Sequence, residues 1–525
     1  MEKKVIPGIV ARADLVETHL AIKTEPPTTN GNYSNSQVKN CDIEITAING
    51  DNQTGFSQQV KDPNIVDWDG LNDPEKAINW PAKKKWANII LVSILSLLTP
   101  FGSSMFAPGV PMAMEDLHSS NVDLASFVVS VYILGYAFGP LIIAPLSELY
   151  GRLPVYHINA LLFIVFNVAC AKSTSLSMLI LFRFLAGFAG SCPLTVGSGS
   201  IADCFTQEER GKVVAVWTLP VLFGPTLGPV AGGYLSESLG WRWNFWFLVI
   251  AAGAISILNL IFQSETYPPI ILERKVRRLR KETGNEALQS ALQSSRTPKE
   301  LFLISIVRPT KMLLFSPIVL GLSLYAAINY GYLYLVFTTM TDVFEERYNI
   351  SAGNVGLTYL GIGVGNVGGL IAVGAVSDMI LKKLAKGGEL KPEYRLPPII
   401  PGGFFVPIGL LWYGWTIEYN IHWIVPIIGT VFIGLGMITI FTPVGIYLVD
   451  AFTAYAASAT AANIVLRSIG GALLPLCGRR MYDALGLGWG NSLLAFIALG
   501  LIPMIWVFLR YGERIRTDPR FQLDL

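Results

Sequence analysis

Long apolar stretches recur along most of the chain and are separated by short polar segments. Twelve of them are long enough to cross the roughly 30 Å hydrocarbon core of a bilayer as α-helices. We number them spans 1 to 12, and they cover residues 87–109, 124–146, 153–172, 177–203, 212–235, 243–263, 315–339, 352–376, 397–416, 423–448, 454–477 and 489–509. The pattern predicts an all-α membrane protein with twelve transmembrane helices.

The composition agrees with this pattern and excludes several classes of protein. The 525 residues are 52% hydrophobic and 14% charged, whereas about a quarter of a soluble protein is charged. The net charge of +2 gives no field that would attract nucleic acid. The 5 cysteines and 4 histidines form no disulfide framework, metal spacing or catalytic set. We therefore expect a lipid bilayer as the surroundings, no metal or cofactor, and no enzymatic activity.

Polar stretches divide the chain into five parts. Residues 1–85 predict a cytosolic, largely disordered tail, 86–263 a six-helix bundle, 264–314 a cytosolic central loop, 315–510 a second six-helix bundle and 511–525 a cytosolic tail. In the central loop, Leu272, Val276 and Leu279 recur at helical spacing, which predicts an amphipathic helix. That helix lies either on the inner membrane surface or as a solvated linker between the bundles.

The distribution of Lys and Arg predicts the orientation. Basic residues concentrate in the central loop and after spans 8 and 12, whereas the alternate loops are acidic or nearly neutral. The positive-inside rule then places both termini and the central loop in the cytosol. Arg479 and Arg480 are exceptions, because they lie in a loop on the predicted outer side. We expect a multi-pass protein of the plasma membrane.

Two matching motifs indicate an internal repeat. Glu148 and Arg152 follow span 2, and Asp378 and Lys382 follow span 8 at the same spacing. A small-x-aliphatic-Ser sequence precedes each acid. Because both motifs lie at the same depth in the membrane pattern, we expect two pseudo-symmetric halves.

Span 5 has an unusual density of glycine and proline, with Gly224, Pro225, Gly228, Pro229, Gly232 and Gly233. Proline removes backbone donors and bends a helix, and glycine lets a neighbouring helix approach closely. We expect a hinge or a seal at this position. Ordinary tight packing is the alternative.

Polar residues inside other spans are candidates for a substrate cavity. Arg183 in span 4 and Arg467 in span 11 are charges in apolar segments, which should face a cavity or a partner. In span 7, Tyr325, Asn329 and Tyr332 share one helical face. They are predicted to line a cavity for a flat, partly polar organic molecule. Aromatic packing is the alternative.

These residues resemble the major facilitator superfamily. Its loop motif after span 2, Gly-x-Leu-Ala-Asp-Arg-x-Gly-Arg, is matched by Leu146, Ser147, Glu148, Gly151 and Arg152. Ala144 and Leu149 depart from that motif. Span 5 is similar to the family's antiporter motif, and Arg183 falls on the arginine of its span 4 motif. Residues 241–246, 265–268, 278–284, 391–397 and 447–452 resemble the fungal drug:proton antiporters with twelve spans, which include multidrug, polyamine and secondary-metabolite efflux pumps.

The resemblance implies a mechanism of alternating access. Two six-helix halves would rock about a central cavity, and inward flow of protons would drive a small amphipathic organic compound out of the cell. Glu148, Gly151 and Arg152, with Asp378 and Lys382 as counterparts, would form the cytoplasmic gate. We expect a monomer and find no carboxylate at mid-membrane in the first half that could carry the proton. The alternative is an importer or facilitator of a nutrient or vitamin.

Overall fold

The computed structural model describes residues 64–70, 72–292, 297–385, 391–452, 455–518 and 520. Predictions about residues 1–63, and about the side chains of Asp378 and Lys382, concern parts of the chain outside this description. The described chain is predominantly helical, as its apolar pattern predicts.

Each predicted span corresponds to one helix or to two helices joined end to end. In the first half these are Ala82–Ser104, Val122–Tyr150, Arg152–Ala171, Leu176–Gly190 with Cys192–Cys204, Gln207–Leu239 and Arg242–Phe262 for spans 1 to 6. Span 1 is followed by the short helices Ala107–Gly109 and Val110–Asp116. In the second half, spans 7 to 11 are Pro317–Tyr348, Ala352–Thr358 with Leu360–Ala385, Ile399–Glu418, Ile424–Ala451, and Ala456–Leu473 with Leu474–Cys477. The last helix, Gly478–Thr517, contains span 12.

Helix ends coincide with side chains that satisfy free backbone groups. Asn121 accepts hydrogen bonds from the N–H groups of Asp123 and Leu124 at the start of span 2. Ser175 accepts one from Met178 N–H at the start of span 4. Between such ends the chain is apolar, and in hydrocarbon a backbone can satisfy its own polar groups by forming a helix. Apolar length and capping residues therefore set the spans.

The last helix contains a reversal that gives the twelfth span. Eleven segments of the described chain are long and apolar enough to cross a membrane, but the last, Ala456–Thr517, has 62 residues, about 90 Å as a straight helix. Gly486 interrupts it with φ 74° and ψ 170°. The Tyr482 hydroxyl donates to Asn491 Oδ1 at 3.2 Å, although nine residues of straight helix would separate them by about 13 Å. Residues 487–517 thus form span 12.

The two halves repeat the same packing arrangement. In the first half span 1 packs on span 5, span 2 on span 4 and span 3 on span 6. In the second half span 7 packs on span 11, span 8 on span 10 and span 9 on span 12. The halves meet where span 2 contacts span 11 and span 5 contacts span 8. The predicted pair of pseudo-symmetric six-helix bundles is confirmed.

We call the end of the bundle that carries the central loop and residue Thr517 the terminal end, and the other the opposite end. At the terminal end the segment before span 1 packs on the central-loop helix Pro268–Thr283. Strand Ile65–Val66 pairs in parallel with strand Gln289–Ser290. Lys275 Nζ lies 2.8 Å from Asp69 and 3.1 Å from Asp73.

The structure adds two findings about the central loop. Leu272 and Val276 are 0% and 3% exposed, so the apolar face of the amphipathic helix packs on protein rather than on a membrane surface. A second helix, Pro298–Phe315, lies between spans 2 and 11 and was not predicted. Its start has a capping box in which Thr297 and Glu300 exchange hydrogen bonds, and this Thr-x-x-Glu spacing was the available signal.

We expect Lys275→Met to release the segment before span 1 from the central loop, because Asp69 and Asp73 would lose their cation. Amide hydrogen exchange at Gln289, whose N–H donates to Asn64 O, should become faster. Arg277→Met is the control, since Arg277 pairs with Glu273 on its own helix. Equal exchange rates in the two variants would contradict the prediction.

The pH dependence of this contact follows from the same residues. Burial opposes the charge of Asp73, but hydrogen bonds from Asp69 and Glu75 N–H and from Lys275 lower the pKa of Asp73 overall. Burial likewise opposes the charge of Lys275, yet the two carboxylates raise the pKa of Lys275. Stabilisation is lost as pH falls through the lowered carboxyl pKa or rises through the raised ammonium pKa. Exchange protection should therefore be constant between about pH 5 and about pH 9.

Candidate functional site

At the terminal end, the motif after span 2 is held by a network within the first half. Arg152 Nε lies 3.3 Å from Asp203 Oδ2, and its guanidinium lies 4.6 Å from the ring centre of Tyr267. The Glu265 carboxylate accepts hydrogen bonds from the N–H groups of Arg152 and Leu153 at 2.9 and 3.1 Å. A carboxylate at the first turn of span 3 is favoured by the helix dipole.

Gly151 makes this approach possible. Its φ is +95°, and a Cβ at that position would lie 2.4 Å from Glu265 Oε2. A side chain there would therefore be strained and would displace the carboxylate. Sequence reasoning identified Gly151 and Arg152 but missed the roles of Asp203, Glu265 and Tyr267. The sequence Glu265-Thr-Tyr was noticed only as part of a family resemblance.

Glu148 does not pair with Arg152 in this structure. It is exposed, and within the described ranges no hydrogen bond or ion pair involves it. At the corresponding place in the second half, Arg395 Nε lies 3.3 Å from Asp450 Oδ2 between spans 9 and 10. The side chain of Lys382, the predicted counterpart of Arg152, lies outside the described residues, so its role stays a prediction.

The glycines of span 5 bring two helices close. A Cβ at Gly224, Gly228 or Gly232 would lie 2.7, 2.5 or 1.8 Å from atoms of span 1, and one at Gly233 would lie 2.5 Å from Ala352 O of span 8. Pro229 is also at this contact, because its carbonyl would lie 2.4 Å from a Cβ at Gly356. Pro225 is inside the helix and partly buried. The motif thus packs within its own half and against the other.

Polar contacts join the halves toward the opposite end. The Glu237 carboxylate accepts a hydrogen bond from Gly353 N–H at 3.0 Å, in the first turn of span 8. The other contacts are Tyr234 hydroxyl to Asn354 at 3.2 Å, Ser130 hydroxyl to Ala472 O at 2.9 Å, Ser103 with Tyr334 at 3.2 Å, and Arg480 with Asp123. We call this set the opposite-end seal.

The two arginines that depart from the positive-inside pattern both have acidic partners. Arg479 lies 2.8 Å from Asp342 and 2.9 Å from Glu346, and Arg480 pairs with Asp123. Their charges are therefore compensated at the opposite end of the bundle. The rule counts basic residues near a span and does not register such pairing.

Arg183 is 1% exposed and donates to backbone carbonyls. Its Nε reaches Val128 O at 2.9 Å and its Nη1 reaches Gly102 O at 3.0 Å. Its Nη2 reaches Ser103 O at 3.0 Å and Val129 O at 3.2 Å. Four carbonyls from spans 1 and 2 thus surround one guanidinium, and in this structure Arg183 does not line an open cavity.

Two of these carbonyls lack a partner in their own helix. Gly102 and Ser103 belong to the last turn of Ala82–Ser104, where the final four carbonyls have no intrahelical donor. A cation there is also favoured by the helix dipole. The rings of Phe106 and Tyr132 lie 5.4 and 5.0 Å from the guanidinium. Arg183 therefore stabilises the break at the end of span 1.

The predicted cavity face of span 7 is inside the second half. Tyr325, Asn329 and Tyr332 are 1%, 0% and 1% exposed, and a Cβ at Gly403 of span 9 would lie 2.7 Å from the Tyr325 hydroxyl. The prediction that they line a cavity is wrong for this structure, because the face they share packs into the bundle. Helical spacing showed that they share a face but not where that face points.

Arg467 lies beside a different face of span 7. Its guanidinium is 4.9 Å from the ring centre of Tyr330 and 5.3 Å from that of Phe441 in span 10. All three residues are partly exposed. Within the described chain its Nε has no hydrogen-bond partner. Arg467 therefore stays a candidate site residue, and the aromatic residues beside it are Tyr330 and Phe441 rather than Tyr325 and Tyr332.

No three His, Cys, Asp or Glu side chains in the described ranges are grouped to hold a metal ion.

The sequence profile of the Major Facilitator Superfamily matches residues 92–475. The chain belongs to this superfamily. Its relatives include the MFS-type transporter penM of Penicillium rubens, 57% identical over 95% of this chain and 99% of penM. The efflux pump radE of Floropilus chiversii is 52% identical over 89% of this chain and 88% of radE.

Solved structures of the superfamily share the fold. The xylose transporter XylE from E. coli, in a partially occluded inward-open conformation, has a TM-score of 0.62 and 17% identity, covering 81% of this chain and 98% of XylE. At that identity the likeness supports the two-half fold alone. The relatives and the fold together make this superfamily member a multi-pass membrane transporter and not an enzyme, as predicted.

The two membrane arginines should differ in their effect on stability. Arg183→Met removes the donors of four buried carbonyls, and we expect a loss of about 2–4 kcal/mol, since hydrogen bonds to charged groups are the stronger ones. Arg467→Met, the matched control, breaks no hydrogen bond found in the described chain and should change stability little. Thermal unfolding of the purified variants in detergent measures both. An equal fall in melting temperature would contradict the assignment.

Proposed function

We propose that this transporter exports small amphipathic organic compounds from the cytosol in exchange for protons, by alternating access, in the plasma membrane. The observation that carries the direction is the 52% identity to the efflux pump radE over 88% of that protein. The span 5 motif, which resembles the antiporter motif, supports exchange rather than channel-like flow.

The position of the seal supports entry from the cytosolic side. The positive-inside rule assigns the terminal end to the cytosol, so the opposite-end seal faces outward. Glu148 at the terminal end is exposed and makes no hydrogen bond or ion pair with the second half in the described chain. A compound from the cytosol would thus approach the interface between the halves without first breaking the seal.

The same kind of contact, a carboxylate at the first turn of a helix in the other half, would close each end in turn. Glu237 of the first half accepts an N–H in the first turn of span 8, a contact that the helix dipole favours. Glu148 is the acid that we expect to make the corresponding contact at the terminal end when the opposite end opens. Each state would then keep one acid paired and leave the other in water.

Uptake into inside-out vesicles with an acidic interior tests the proposal. The panel is a set of fluorescent and radiolabelled organic compounds, and a protonophore is added in parallel samples. Proton-coupled export predicts accumulation that the protonophore abolishes. Equilibration that does not depend on the gradient would instead indicate a facilitator, which is the alternative function.

We expect Glu148→Gln to lower uptake several-fold at matched abundance in the membrane. The amide keeps the size of the side chain but removes the charge that would stabilise the closed terminal end. Glu115→Gln is the control, because Glu115 is exposed near the opposite end. Unchanged uptake by Glu148→Gln would show that this acid is not part of the gate.

The seal can be opened by removing one carboxylate. Glu237→Ala should raise labelling of Ser103→Cys by an impermeant maleimide added from outside, by about tenfold, since a charged hydrogen bond is lost. Ser103 is fully buried and contacts Tyr334 of the second half. The background carries Cys477→Ser, because Cys477 is exposed.

Gly353→Ala provides an independent disruption of the same contact. A Cβ at Gly353 would lie 2.0 Å from Glu237 Oε2, so the methyl group would displace the carboxylate. The variant that combines Glu237→Ala and Gly353→Ala should then label no faster than either single variant, because both substitutions remove the same interaction. Fully additive effects, or no increase in labelling in either variant, would show that Glu237 does not close this end.

A further inference from the structure

The two arginines inside the membrane spans differ in how their charges are satisfied. Arg183 donates to four backbone carbonyls. For Arg467 the described chain contains no hydrogen bond or ion pair, and its Nε is buried without a partner. A cation at membrane depth is unfavourable unless a partner neutralises it. An anion from outside the chain would be such a partner.

Two aromatic rings lie next to each other beside this cation. Tyr330 and Phe441 place their ring centres 4.9 and 5.3 Å from the guanidinium and lie 5.7 Å from each other at an interplanar angle of 72°. Both are partly exposed, so a ligand can reach them. Flat ring systems stack favourably on such faces and on the guanidinium plane.

A hydrogen-bond donor of the first half lies at the same depth. Ile133 of span 2 approaches Gly471 of span 11, with its Cγ2 3.5 Å from a Cβ placed there. Tyr136 is one turn from Ile133 toward the terminal end, and Arg467 is one turn from Gly471 in the same direction. Side chains one turn apart share a helix face, so Tyr136 and Arg467 both lie on the helix faces where spans 2 and 11 meet.

The Tyr136 hydroxyl is a buried donor without an acceptor in the described chain. Tyr136 is 9% exposed, and no partner for its hydroxyl is present in the described chain. Its ring belongs to the same buried cluster as Tyr334, with Tyr330 packed against that cluster. A charged donor from one half, beside two aromatic faces, and a neutral donor from the other half thus both lie at the junction of the halves.

We infer that this arrangement is a binding site for aromatic compounds that carry an acidic group, with Arg467 and Tyr136 holding the anion. It deepens the proposed function, on which it rests for the compound being a transported one. Charge-assisted hydrogen bonds are roughly twice as strong as neutral ones. Arg467 therefore determines which charge the substrate carries, and the rings determine its flatness.

Two xanthene dyes of similar shape and opposite charge test this inference. Equilibrium binding of 5-carboxyfluorescein and rhodamine 123 is measured on the purified full-length protein in detergent. The wild type should bind the anionic dye at least about tenfold more tightly, and Arg467→Gln should remove that preference. Rhodamine 123 should bind Arg467→Gln as well as it binds the wild type.

Three further variants separate the inference from a folding defect. Arg467→Lys should retain part of the preference, and Tyr136→Phe should weaken binding of the anionic dye several-fold. Arg347 is an exposed arginine near the opposite end, and Arg347→Gln should bind both dyes as the wild type does. Equal binding of the two dyes by the wild type, or equal weakening of both dyes by Arg467→Gln, would overturn the inference. Binding requires no gradient, so charge-selective binding without vesicle uptake would refute the proposed export alone.

Discussion

The end of span 1 is the point on which much of the bundle depends. A helix that stops inside a membrane bundle leaves carbonyls without donors, which is costly where water is absent. Arg183 supplies donors to Gly102 and Ser103 and at the same time reaches two carbonyls of span 2. One side chain therefore fixes spans 1, 2 and 4 together. The same short stretch carries Ser103, which contacts Tyr334 of the second half.

Two kinds of contact hold span 5, and their difference suits a moving protein. Within its half, Gly228 and Gly232 allow backbone approach to span 1 that no side chain would permit, and such close packing is rigid. Across the halves, span 5 also approaches span 8 closely at Gly233 and Gly356, and the seal adds a few hydrogen bonds and one ion pair. Each hydrogen bond is worth only about 0.5–1.5 kcal/mol net. The halves can therefore separate while each stays intact.

The sequence predicted the spans well and the partners of polar residues poorly. Apolar length determines a span because lipid leaves the backbone no alternative to a helix, which is why the broken last helix was still recognised as two spans. The face of span 7 was misassigned because Tyr330 and Tyr332 both lie in an apolar segment. The periodicity of that segment does not show which face contacts lipid, which packs in the core of its own half and which meets the other half. The pairing of Arg152 with Asp203 joins residues 51 positions apart, and local spacing carries no information about it.

The contrast between Arg183 and Arg467 shows why residue type alone could not assign a role. Arg183 lies against a helix that ends beside it, so free carbonyls are within reach. Arg467 lies against spans 7 and 10, which run uninterrupted as Pro317–Tyr348 and Ile424–Ala451, and their carbonyls are largely bonded along the helix. A broken helix offers free carbonyls that can neutralise a charge beside it. Between unbroken helices the carbonyls are already bonded, so the hydrogen-bond donors of the charged group stay without acceptors. Because that second charge stands at the junction of the halves, the substrate is the partner best placed to meet it.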